Sequence, residues 1–155
     1  MRLSVRFQTT LYLVVAMLLI TGVAWLAVDR AVWPETATYL LRLHGGAAMA
    51  MLVVLGALLP LHVRIGWRRG RNLASGIAML ASNGILVVTA FGLYYAGSDA
   101  LRHWASELHV VTGLTLPVLV GGHVALGWRR RRTAARERVA AATRGRLEQT
   151  ERAPR

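Results

Sequence analysis

Four apolar runs, at residues 9–28, 39–62, 73–96 and 107–128, divide the chain, and each is close to the ~20 residues that an α-helix needs to cross a bilayer. With 55% hydrophobic and 17% charged residues, the chain is too apolar for an ordinary soluble domain of its length. The expected fold class is all-α, a four-helix transmembrane bundle. Basic residues precede the first run, as in a signal peptide. Its apolar stretch is longer than the usual h-region, however, and it lacks an evident small-x-small cleavage site, so it is expected to be a retained span.

The arginines set the expected orientation. Arg2 and Arg6 precede the first run; Arg64, Arg68, Arg69 and Arg71 follow the second; Arg129 to Arg132 follow the fourth. The other two connections mix signs, with Asp29, Arg30 and Glu35 in one and Asp99, Arg102 and Glu107 in the other. By the positive-inside rule both termini are cytoplasmic. The net charge of +12 is then chiefly a topology signal, and no nucleic-acid partner is expected. Two regions follow: a transmembrane domain over residues 1–132 and a basic, alanine-rich cytoplasmic tail over 133–155, expected as a surface helix against anionic lipid. Pro34 is placed to open the second helix, and Trp33, Tyr39 and Trp104 to sit at the lipid–water boundary. Trp104 is expected on a short interfacial helix within the connection at 97–106. Small residues of the third run, Gly76, Gly84 and Gly92 among them, suit close helix packing, and Asn83 suits an interhelical hydrogen bond. The first run is expected to be scaffold.

The apolar runs also carry an internal repeat. His62 opens HVRIGWRR at 62–69 and His123 opens HVALGWRR at 123–130, six of eight positions agreeing; a Leu-His pair, Leu43-His44 and Leu108-His109, precedes each. The chain is therefore expected to be two repeated helical hairpins, each with one two-histidine helix. His44 and His62 are 18 residues apart, five whole turns, so both project from one face; His109 and His123, 14 apart, share a face to within about 40°. With the runs alternating in direction, the second and fourth are parallel. His44 and His109 then lie near the outer surface and His62 and His123 near the inner one. The 18-residue spacing spans about 27 Å and the 14-residue one about 21 Å, so tilt, a kink at Pro60 or a local bulge must absorb one turn.

Ionisable residues inside membrane spans are rare and usually functional. Two histidine pairs at two depths are the arrangement that bis-histidine haem ligation needs. A zinc or copper site is excluded, because it would gather three or four ligands around one ion. Two alternatives stay open: histidines merely hydrogen-bonded across helices, and a proton pathway, although all seven acidic residues lie in connections, span ends or the tail. Having no cysteine, the chain cannot use disulfides, thiolate-held iron–sulfur clusters or c-type haem attachment. Gly45 and Gly46 follow the outer histidine of the second helix, and Gly121 and Gly122 precede the inner histidine of the fourth; positions without side chains suit a flat macrocycle between helices. His103 would face away from the fourth helix's histidines and is expected at the surface.

Over residues 9–132 the chain resembles the small membrane-embedded b-type cytochromes, a group that includes bacterial cytochrome b561-like proteins and the four-helix cytochrome b subunits of hydrogenases and formate dehydrogenases. The resemblance rests on the paired histidines 14 apart, the Leu-His start and the basic, tryptophan-containing inner end. It implies two b-type haems stacked across a bacterial inner membrane, ligated by His44 with His109 and by His62 with His123. It further implies Arg42, Arg102 and Arg64 as counter-charges for haem propionates. The implied function is electron transfer between the quinone pool and a redox partner subunit, a cytochrome or dehydrogenase. A subunit of an oxidoreductase complex is the expectation, not a catalyst alone; a non-redox membrane anchor and a stand-alone quinone-linked oxidoreductase are the alternatives.

Overall fold

In the computed structural model, which describes residues 4–60, 64 and 73–152, four helices follow one another. They are α1 (Val5–Ala27), α2 (Pro34–Leu58), α3 (Leu73–Tyr95) and α4 (Asp99–Arg152). Each is long and apolar enough to cross a membrane, which makes the chain a multi-pass membrane protein with an all-α, four-helix fold.

The helix ends follow from local chemistry. Ser4 caps α1, its hydroxyl accepting from the Phe7 N–H at 3.3 Å. In the turn to α2, the Asp29 carboxylate accepts from the N–H groups of Ala31 (2.9 Å) and Val32 (3.4 Å). Pro34 opens α2 at a position whose N–H would be unpaired anyway. The turn from α3 to α4 is closed by Ser98, whose hydroxyl accepts from the Leu101 N–H at 3.3 Å. Arg102 tightens it by donating to the Ala96 carbonyl at 3.2 Å.

α1 packs along α2, and α3 along α4; the two hairpins meet where α1 touches α4. In the second hairpin the register is antiparallel and regular: Gly92 opposes Ala105 and Leu86 opposes Gly113. A Cβ on Gly92 would lie 3.0 Å from the Ala105 Cβ, so the two helices approach to the limit that glycine allows. The buried side chains are mostly small, among them Ala37, Ala47 and Ala105, with Met51, Val54 and Leu116 as the larger ones. Outward-facing Leu13, Ile20, Val53, Val88 and Val118 are largely exposed, as lipid-facing residues are when no bilayer surrounds them. Trp33, Tyr39, Tyr94, Tyr95 and Trp104 are exposed around the two hairpin turns and Trp128 toward the other end, the pattern of interfacial aromatic belts.

The structure departs from the sequence expectations at three places. No separate interfacial helix precedes the fourth span: only residues 96–98 break the chain, and α4 begins at Asp99. The same helix then runs unbroken through the basic region to Arg152, 54 residues in all. The tail thus continues the helix of the fourth span without a break. Asn83, buried at 7% exposure, donates to the Met79 carbonyl of its own helix at 2.8 Å and makes no interhelical bond among the described residues. At the far end of α2, Leu59 and Pro60 continue in a wider, π-type turn, as a proline without an N–H favours. This is a local bulge on the approach to His62, which itself lies outside the described residues.

Candidate functional site

Equal depth comes from equal spacing. His44 is ten residues beyond Pro34 at the start of α2, and His109 ten beyond Asp99 at the start of α4, so each ring lies about 15 Å along its helix from the adjoining turn. The two hairpins bring these half-buried rings together, with centres 6.2 Å apart and planes inclined at 69°. Neither ring hydrogen-bonds the other; each bonds instead to a threonine of the preceding helix. His44 Nδ1 is 3.0 Å from Thr21 Oγ1 on α1, and His109 Nδ1 is 2.9 Å from Thr89 Oγ1 on α3.

Proton accounting gives one consistent direction for both bonds, with each hydroxyl hydrogen kept on its own helix. A hydroxyl has one hydrogen to donate. Thr21 Oγ1 donates it within α1, to the Met17 carbonyl at 2.6 Å with Leu18 at 3.3 Å. Thr89 Oγ1 donates it within α3, to Ile85 at 2.7 Å with Leu86 at 3.1 Å. Each oxygen is therefore left as an acceptor, and each imidazole donates through Nδ1–H. Nε2 of both rings then carries the free lone pair, the form in which a neutral histidine binds a metal.

A third histidine follows the same rule of partnership. His123 Nδ1 is 2.9 Å from Ser75 Oγ on α3. Ser75 and Thr89 are 14 residues apart on α3, and His109 and His123 are 14 apart on α4; the antiparallel register thus gives each histidine of α4 a hydroxyl from α3, at levels about 21 Å apart. In the sequence Ser75 reads only as a small residue for close helix packing, and Thr21 and Thr89 carry no signal of their own. The matching 14-residue spacing was the available signal.

The geometry admits a metal between His44 and His109. With a metal–nitrogen bond of about 2 Å and each ring centre about 1 Å behind its nitrogen, two imidazoles on opposite sides of one metal place their centres about 6 Å apart. The 6.2 Å separation fits that value, whereas two rings sharing a direct hydrogen bond would sit closer. Among the described residues no group of three or more His, Cys, Asp or Glu side chains gathers around one point.

The remaining expected residues divide. An added Cβ meets nothing within 4 Å at Gly45, Gly46, Gly121 or Gly122. Gly45 and Gly122 flank the histidine faces, about 100° away, but Gly46 and Gly121 lie about 160° around the helix and are exposed. Arg42 is not brought to the histidines. Two residues before His44 it points about 160° away, exposed beside a shallow groove with Pro34, Glu35, Thr38 and Tyr39. Arg102 is engaged at the α3–α4 turn, donating to Ala96 and 3.9 Å from the Asp99 carboxylate. His103 is exposed, edge-on to Trp104. No family model, curated protein or solved structure matches the chain, so what the site can do follows from its own geometry.

Proposed function

We propose that the protein is a membrane electron-transfer subunit, a dihaem cytochrome b of the bis-histidine type, working between quinone or quinol and a redox partner. The observation that supports this reading is the His44–His109 pair: two imidazoles from parallel helices, 6.2 Å apart, each hydrogen-bonded through Nδ1 to a buried threonine, an arrangement in which Nε2 would be the nitrogen offered to a metal. Haem iron held between such ligands supplies reversible one-electron transfer. The chain's own residues supply the ligands, the hydroxyls that orient them and an apolar surround. His123, held by Ser75, would provide one ligand of a second level, and His62 its partner. The arginine-rich end is assigned to the inner face of a bacterial plasma membrane, with both termini inside.

The test is direct. Purified in detergent, the protein should show a b-type difference spectrum between reduced and oxidised forms, with about two haems per chain. His44→Ala and His109→Ala should each remove the same single haem, and His123→Ala the other. If His44→Ala and His109→Ala remove different haems, or if the parent protein, supplied with haem, binds none, the reading is wrong.

A further inference from the structure

We propose that Thr21 and Thr89 are positioning residues that hold His44 and His109 in the Nδ1–H tautomer, so that α1 and α3, the helices without histidine, determine which ring nitrogens are available for coordination. The tautomer assignment rests on the hydrogen-bond geometry alone; its consequence for haem rests on the function proposed above.

The physical reasons are three. The threonine hydroxyls are buried, at 5% exposure for Thr21 and 6% for Thr89, so water does not compete for the imidazole proton. Each hydroxyl hydrogen is already committed to a carbonyl one turn back, a bond that threonine forms readily inside a helix. The oxygen can therefore only accept from the ring. An imidazole without such a partner would protonate either nitrogen, and in the Nε2–H form it has no lone pair where the opposite histidine needs it. The acceptor is also neutral. Unlike a carboxylate, a hydroxyl does not draw the Nδ1 proton away. Both hairpins use the device at the same depth. Its appearance on α1 and on α3 is the duplicated feature that the histidine repeat alone does not contain.

Nitrogen NMR of imidazole-labelled protein reads the tautomer without any cofactor. In haem-free protein His44 and His109 should both be Nδ1–H. Thr21→Val, which keeps the shape and removes the hydroxyl but leaves the Leu18 carbonyl within reach of the ring, should shift His44 toward the Nε2–H form; Thr89→Val, with the Leu86 carbonyl remaining, should do the same for His109, and Thr21→Ser and Thr89→Ser should retain the parent tautomer. In haem-loaded protein each valine substitution should lower affinity at the His44–His109 level about 10- to 100-fold, the usual scale for removing a partner of a metal-bound histidine. It should also shift the midpoint potential of that haem while leaving the other unchanged. The proposal is overturned if the parent rings are Nε2–H, or if the valine variants keep Nδ1–H. Should the valine variants fail to fold, the parent and serine measurements still decide. A protein that binds no haem yet shows the tautomer response would sink the cytochrome reading and leave this inference standing.

Discussion

Gly22 shows how tightly a single residue can be bound to the site. It follows Thr21 on α1, and a Cβ built on it would lie 3.3 Å from His44 Cε1 and 3.5 Å from Nδ1. One methyl group would press the ring aside by a few tenths of an ångström, and a branched side chain by more. Gly22→Ala is expected to weaken haem retention at the His44–His109 level mildly, and Gly22→Val by on the order of tenfold. Haem per chain and reduced spectra would measure this, and unchanged retention in Gly22→Val would show that the ring has room. At this scale the histidines were legible in the sequence because an imidazole at membrane depth stands out from its surroundings. Thr21, Thr89 and Ser75 were not, since hydroxyl residues are ordinary in membrane helices and satisfy themselves on their own backbone. Only their partners' positions give them meaning. Arg42 misled for the opposite reason: nearness in sequence to His44 suggested a shared task, yet a two-residue step turns a side chain to the far side of its helix.

Between helices, the second hairpin is set by Gly92 against Ala105. Their predicted methyl-to-methyl distance of 3.0 Å after a glycine-to-alanine change cannot be relieved by rotating either group, because a Cβ is fixed to the backbone. Gly92→Ala should therefore separate α3 from α4 near their turn, and Gly92→Val more so, at about 1–3 kcal/mol in reversible detergent unfolding. A Gly92→Ala variant as stable as the parent would mean that the helices slide to make room. The four spans were legible as elements because apolar runs of bilayer length have few other readings. The extent of α4 was not. Hydropathy ends near Trp128, where charged residues begin, yet alanine and arginine are strong helix formers, and the backbone continues helical to Arg152.

For the whole molecule, the decisive fact is that both hairpin turns lie at one end. Four successive spans alternate in direction, which makes the second and fourth parallel and puts both turns on one side of the membrane; His44 and His109, each ten residues from its own turn, meet across the two hairpins. The far part of α4 must emerge on the other side, because the helix crosses the apolar layer once between Asp99 and the arginines after Trp128. The chain has no cysteine, so single cysteines report without background. Ala31→Cys and Ser98→Cys, one in each turn, should react with a membrane-impermeant maleimide from the same face of sealed cells or vesicles. Ala141→Cys, exposed on the extension of α4, should react only from the opposite face. With the arginine-rich face in the cytoplasm, as proposed above, the two turn positions should label in intact cells and Ala141→Cys only after permeabilisation. Labelling of Ala31→Cys and Ser98→Cys from opposite faces would rule out parallel α2 and α4.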